Sequence, residues 1–325
     1  MSALPSSIIV CAHTEQRWAD LVAALDSLRR QTVEPGEIIV VIDHNPALLE
    51  RARAQVAAPG VAVVENGGAP GLSGARNSGL ARASGTIIAF LDDDAVAEPD
   101  WLATLLAAYT DERVLGVGGA IAPLWATARP RWFPAEFGWV VGCGYTGQPT
   151  ATTPVRNLIG TNMSFRRAIF ATLGGFRDGL GRVGLNTAGC EETELCIRAL
   201  QRWPDARIIF EPQARVHHRV PAARTTWHYF RARCHDEGRS KATVAALVGQ
   251  GDGLATERDY TMRTLPRGVL RGIGATVVRR NPAGFLRAGA IVAGLAYTTA
   301  GYLGGMLTRK VSHLAPPMSR MVGSR

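Results

Sequence analysis

The feature that most constrains this chain is Thr86-Ile87-Ile88-Ala89-Phe90-Leu91-Asp92-Asp93-Asp94, an apolar run that ends on three consecutive acids. A short, uninterrupted apolar segment reads as a strand buried on both faces, which calls for chain packed on either side of a sheet. Three adjacent carboxylates repel one another wherever water is scarce, so positive charge has to stand beside them. A divalent cation held by carboxylate oxygens meets that need. The same triplet also fits an acidic turn before a helix near Pro99, with Asp94 or Glu98 close to the helix N-terminus. In an open α/β sheet, ligands bind beyond the carboxyl ends of the strands, which is where these acids fall.

The flanking sequence supplies such a sheet. Ser7–Cys11, Glu37–Ile42 and Val61–Val64 carry strand patterns, as does Thr86–Leu91. Arg17–Arg30, Pro46–Ala57, Leu72–Ala83 and Pro99–Tyr109 read as helices between and after them. In the first of these, Leu21, Ala24, Leu25 and Leu28 recur at the i, i+3, i+4, i+7 spacing of one helix face. This alternation predicts a mostly parallel central sheet with right-handed crossovers and flanking helices, an α/β fold.

Further along, residues 125–145 concentrate Trp, Phe, Pro and Gly without a regular period, as core filler or as a substrate platform. Asn157–Phe165 reads as a strand, followed by a short helix over Arg167–Leu173 that Gly174-Gly175 ends. Gly189-Cys190-Glu191-Glu192-Thr193-Glu194-Leu195 opens another helix, whose first-turn acids suit the helix dipole whatever their function. Ile208–Phe210 is a strand pattern, and Val216-His217-His218-Arg219-Val220-Pro221 follows it with two histidines that are either surface residues or metal ligands. The glycine-rich stretch Gly67–Gly79 fits neither the dinucleotide GxGxxG pattern nor the Walker pattern. It reads as a flexible turn into a helix, with Arg76 in a first turn able to face a phosphate.

Charge separates the C-terminal part from the rest. Of a net +9, residues 201–325 carry 20 Lys/Arg against 7 Asp/Glu, and no acid follows Asp259. Such a balance points to an anionic partner, a nucleic acid or a membrane surface. Residues 263–280 interleave Arg with Leu, Val and Ile, as in an interfacial helix, and residues 288–308 are free of charge over about the ~20 residues that span hydrocarbon. Gly301 and Gly305 form a small-residue spacing suited to close helix packing, and a buried soluble hairpin is the competing reading. A nucleic-acid interface would interleave aromatics with the arginines, whereas this tail is aliphatic and glycine-rich, which excludes that partner. Five scattered cysteines without a CxxC spacing suit a reducing compartment rather than a disulfide framework or zinc knuckle. Met1–Ser7 has no signal-peptide pattern, so the N-terminal part is expected in the cytosol.

Taken in order, SIIVCAHTE, IIVVIDH, GARNSG, FLDDDA, GTNMSFRR, GGF, EETELCIR and VHHRVP resemble the motifs of the family 2 glycosyltransferases, inverting nucleotide-sugar enzymes with the GT-A fold. The resemblance covers Ser7 to about Pro221. It implies that Asp43 contacts the nucleotide base and ribose, that His13 and Glu15 lie in the loop framing that nucleotide, and that Arg76 and Asn77 line the donor pocket. It implies a DxD element in which Asp92 and Asp94 are the outer acids, Asp93 stands at the donor, and Asp94 is the direct metal ligand. His218, with His217 as the alternative, matches a downstream histidine near metal and diphosphate. Glu192 falls at the catalytic base, where the family usually has Asp, and Glu191 is the alternative. Asp43-His44 stands where many members have two acids, which leaves the donor base open.

The expectation is therefore a GT-A catalytic domain over residues 1–221, with a nucleotide-sugar half to about 120 and an acceptor half after it. A helical linker over 222–262 and a basic, apolar, membrane-associating tail over 263–325 follow. The expected reaction is inverting transfer, dependent on Mn²⁺ or Mg²⁺, from a nucleoside-diphosphate sugar to a glycan or polyprenyl-linked acceptor at the cytoplasmic membrane face. A catalytically inactive nucleotide-binding membrane scaffold of the same fold is the alternative.

Overall fold

The computed structural model describes residues 4–183, 188–253 and 255–314. Its first half follows the expected alternation: β1 (Ser6–Ala12), α1 (Trp18–Arg29), β2 (Glu37–Ile42), α2 (Pro46–Gln55), β3 (Val61–Glu65), α3 (Leu72–Arg82) and β4 (Ile87–Asp92). The local chemistry explains the boundaries. Asn45 caps α2 by accepting from the Leu48 backbone N–H at 3.0 Å, and Pro46 sits where a missing N–H costs nothing. Within the strands, alternate residues enter opposite layers. Ile8 and Val10 face α1 and α2 in one core, whereas Ile9, Ile39 and Phe90 join a second core on the other side of the sheet. Gly79 lets α3 lie close on the sheet, since a Cβ there would stand 2.6 Å from Ile9 Cγ2.

A short β5 (Ala95–Ala97), α4 (Trp101–Ala107), β6 (Val114–Trp125), β7 (Thr153–Val155), β8 (Asn162–Arg166), α5 (Arg167–Leu173), α6 (Glu191–Arg202) and β9 (Arg207–Val220) complete the sheet and its cover. The strand order is β3-β2-β1-β4-β8-β6-β9-β5, with β7 also on β9. The parallel expectation holds for β3-β2-β1-β4. Beyond β4 the sheet is mixed, because β8 runs antiparallel to both β4 and β6, while β6 and β9 are parallel. Strand order reverses direction between β1 and β4, so their carboxyl ends flank the crevice where ligands of such sheets bind.

Several boundaries differ from the sequence reading. The strand expected over Asn157–Phe165 begins only at Asn162, and the residues before it form an irregular approach to the site. The helix expected over Pro99–Tyr109 is confined to Trp101–Ala107. The pattern at Ile208–Phe210 is the start of a 14-residue strand that runs through both histidines. The β6 strand is disguised by glycines that close packing requires: a Cβ on Gly116 would meet the Phe165 ring at 2.7 Å, and one on Gly119 would overlap the Ala214 carbonyl.

The C-terminal part is helical. α7 (Trp227–Val248) is followed by short α8 (Gln250–Gly253) and α9 (Ala255–Asp259), a π-helical turn (Tyr260–Thr264), α10 (Leu265–Arg279) and α11 (Ala283–Leu314). Ala283–Thr308 is long and apolar enough to cross a membrane by length and composition. Gly301 and Gly305 do form a close-packing face, but on α7 of the same chain. Residues 315–325, the end of the expected tail, lie outside the described residues.

Candidate active site

A cavity of about 1200 Å³ opens at the carboxyl ends of β1 and β4 and runs beneath α6, α7 and α11. Asp92 ends β4, Asp94 stands in the tight turn into β5, and β9 brings His218 opposite Ala95. One carboxylate oxygen from each acid and a ring nitrogen of His218 lie within 4.8 Å of one another. His218 Nε2 is 3.1 Å from Asp94 Oδ1, and both residues are buried. Behind the imidazole, Cys143 Sγ lies 3.5 Å from Nδ1, and Gly142 (φ +80°) permits the close approach. Thr161 donates to Asp92 Oδ2 at 2.7 Å and so orients that carboxylate.

Two carboxylates and one imidazole at this separation fit a divalent ion, with hard oxygen donors in the majority. Asp93 Oδ2, buried and without a hydrogen-bond partner among the described residues, leaves a further oxygen acceptor at the same turn. Guanidiniums already supply part of the compensation. Arg17 Nη1 is 2.9 Å from Asp93 Oδ1 and 3.2 Å from Asp94 Oδ2, and Arg224 Nη2 is 3.5 Å from Asp94. Burial opposes charge on Asp94, yet His218, Arg17 and Arg224 outweigh it and hold Asp94 well below the usual carboxylate range. Burial and the charge of Asp94 raise the pKa of Asp93. Strand alternation separates the two histidines. His217 turns to the other side of β9, where its Nε2 lies 3.1 Å from Glu98 Oε1.

Asp43 follows β2 and lines the cavity. Its carboxylate accepts from Asn66 Nδ2 at 2.6 Å and from the Gly71 backbone N–H at 2.9 Å, and His44 Nδ1 stands at 2.8 Å. Burial works against its charge, but these bonds lower its pKa overall. Gly71 adopts φ +113°, a conformation that favours glycine, to aim that N–H. His13 lines the cavity beyond β1, and burial, then Arg17, lower its pKa. Glu15 opens a 3₁₀ turn, Glu15–Arg17, whose neighbours Thr14, Gln16 and Arg17 line the cavity while Glu15 itself does not.

On the opposite wall α6 begins with Glu191 and Glu192, both lining the cavity, after Cys190 takes a left-handed turn at φ +73°. They are not equivalent. Glu191 is buried and accepts from Arg76 Nη1 at 2.6 Å. Glu192 is half-buried; burial first, then the charge of Glu191, push its pKa up to about 8 against the opposing effect of Arg76. Arg76 donates also to the Gly160 carbonyl at 3.1 Å and lies 3.6 Å from Asp92, so it braces the two acidic walls.

Asn77, expected at the donor pocket, is not among the residues that line the cavity. Its side-chain amide donates to the Phe176 carbonyl and accepts from the Phe176 N–H, both at 2.8 Å, which turns it away from the cavity. Arg17, Thr161, Arg182 and Arg224 enter the cavity wall without having been singled out in the sequence. Arg224 stands six residues after His218, but no spacing rule marks it. The aromatic stretch divides its roles: Phe133 packs with Phe230 in the core, Phe137 packs there and also lines the cavity, and Trp139 lines the cavity under the Arg233 guanidinium, 5.7 Å from its ring centroid.

Residues 7–174 match the family described as Glycosyl transferase family 2. Over 246 residues the chain is 33% identical to the glucosyl-dolichyl phosphate glucuronosyltransferase of Haloferax volcanii, covering 75% of this chain and 78% of that protein. The mannosyltransferase PcManGT from Pyrobaculum calidifontis, solved with GDP-Man and Mn²⁺, superposes with a TM-score of 0.59 at 18% identity, covering 97% of this chain and 89% of that one. GalNAc-T7, solved with UDP, GalNAc and Mn²⁺, gives a TM-score of 0.54 at 20% identity over 80% of this chain, which spans 55% of that protein. At these identities the two structures show a shared GT-A fold.

Proposed function

The chain belongs to glycosyl transferase family 2, and from that membership we propose an inverting, metal-dependent glycosyltransferase that moves a sugar from a nucleoside diphosphate to a lipid-linked acceptor. The observation that carries this reading is a single cavity with an acid and histidine cluster able to hold an ion on one wall and, on the other, Glu192, whose carboxylate accepts only from Thr193 among the described residues and has an elevated pKa. A Mn²⁺ or Mg²⁺ ion held by Asp92, Asp94 and His218 would neutralise charge on the departing diphosphate.

The chain's own groups do the rest. Asp43 and His13 frame the nucleoside, and Arg17, Arg182 and Arg224 direct donors at the diphosphate. Glu192 takes the proton from the acceptor hydroxyl as its oxygen attacks the anomeric carbon opposite the leaving diphosphate, so that configuration inverts in one displacement. Glu191, committed to Arg76, holds that arginine and adds to the effect of burial in raising the pKa of its neighbour. Asp93 acts through Arg17 rather than on the donor itself.

The lipid-linked acceptor is supported by the glucosyl-dolichyl phosphate named for the Haloferax volcanii relative and by the basic, apolar C-terminal helices. On this reading the protein works at the cytoplasmic membrane face, which the long apolar stretch Ala283–Thr308 supports. The test is turnover of a polyprenyl-phosphate-linked sugar with a nucleotide-sugar donor, with proton NMR reading the new anomeric centre. Inverted product is expected. Retained configuration, or transfer only to water-soluble sugars, overturns the mechanism or the acceptor respectively.

A further inference from the structure

A second cleft, of about 890 Å³, lies away from the active site between the 129–136 segment and the α10–α11 hairpin. Arg129, Arg131, Arg271 and Arg287 line it against one acid, Glu136. Glu136 is buried and accepts from Arg271 at 2.6 Å, so its charge is already met. Among the described residues no acid pairs with Arg129, Arg131 or Arg287. Burial and the neighbouring Arg287 push the Arg129 pKa down against the opposing charge of Glu136, as expected where cations outnumber the one acid.

The lip of this cleft is apolar. Val278 lines it and is 81% exposed, and Val277 and Leu270 beside it on α10 are 69% and 67% exposed. On α11, Phe285, Val292, Leu303 and Leu307 stand out at helical spacing on one outward face. Every exposed residue of α11 from Phe285 to Thr308 is uncharged. The opposite face is locked to α7: a Cβ on Gly301 would lie 1.9 Å from the His235 carbonyl oxygen, and one on Gly238 would lie 2.0 Å from that of Thr298. α7 itself carries Arg233, Glu237 and Lys241 in ion pairs. A helix bound to such a partner cannot enter hydrocarbon end-on without bringing those charges with it.

We propose that the α10–α11 hairpin lies along an anionic membrane surface rather than crossing it, with its outward apolar face in the interface and the arginine cleft holding a lipid headgroup phosphate. A lipid is the expected partner because the acceptor proposed above is itself lipid-linked. α11 also lines the active-site cavity through Leu295, Thr298 and Tyr302, so this orientation brings the cavity beside the lipid surface. Arginines around a phosphate and apolar side chains at acyl depth are complementary to a phospholipid, whereas a soluble phosphate needs no apolar lip.

The experiment is flotation of the full chain with phosphatidylcholine vesicles, with and without phosphatidylglycerol, together with nucleoside diphosphate release as an independent readout of the active site. Binding to the anionic vesicles, weakening as salt rises and lost on alkaline carbonate extraction, is expected. The Arg129→Ala/Arg287→Ala pair should bind about 30-fold more weakly, from roughly 1 kcal/mol per basic residue at an anionic surface. Phe285→Asp, on the outward apolar face, should weaken binding to the anionic vesicles. Unchanged binding by the double arginine variant overturns the headgroup site, and resistance to carbonate overturns the interfacial orientation. A chain that releases nucleotide but floats with neither vesicle overturns the inference while leaving the transferase reading intact.

Discussion

Glu192 and Glu191 are adjacent and chemically alike, yet their surroundings give them different work. Glu191 lies against Arg76 with both side chains almost fully buried, an ion pair whose loss from one side is costly. Arg76→Ala should therefore destabilise the fold by about 3–5 kcal/mol, read by urea unfolding, because it strands a buried carboxylate. Glu192 has no ion-pair partner among the described residues, accepts only from the Thr193 hydroxyl at 3.1 Å, and has a pKa raised to about 8. A general base works deprotonated, so kcat/KM should climb about tenfold per pH unit below that value and level off above it. Glu192→Gln should lower turnover by about 10²–10⁴-fold. Glu191→Gln removes the like charge and frees Arg76, so the acidic limb of the profile should move to lower pH. A limb that stays in place, or moves the other way, breaks the link between the two acids.

Among the elements, β9 contributes most that the sequence concealed. Pairing with β5 sets His218 beside Asp94, and the two-residue period of a strand sends His217 to Glu98 on the far side. His218→Ala should weaken Mn²⁺-dependent nucleotide binding at least tenfold by calorimetry, whereas His217→Ala should leave it within about twofold. The acids after the fourth strand and at the start of α6 were legible because each interrupts or opens an apolar pattern. β6 was not, because its glycines answer to Phe165 and Leu158, residues distant in sequence. The bonding of Asn77 is hidden for a related reason: its place beside Arg76 is local, but its partner Phe176 is 99 positions away. At the helical end, Gly301→Leu should undock α11 from α7, lowering the melting temperature and raising protease sensitivity in that helix.

At the scale of the whole molecule, one sheet changes character across its width, and the chemistry sits where it changes. The parallel half carries Asp43 and Asp92 at its strand ends, and the mixed half returns His218 to the same crevice. The repeated strand–helix pattern made the first half readable, whereas the second half depends on long-range pairing that periodicity does not reveal. The charge division along the chain did survive into the structure, as an arginine cleft beside an exposed apolar helix face. The most direct test of the account is nucleoside diphosphate release from a panel of UDP-, GDP- and dTDP-sugars, with polyprenyl-phosphate-linked acceptor, in Mn²⁺ or in EDTA. Release from one donor that EDTA abolishes and added Mn²⁺ restores is the predicted result. Release at the same rate in EDTA would contradict the Asp92–Asp94–His218 site as the seat of the reaction.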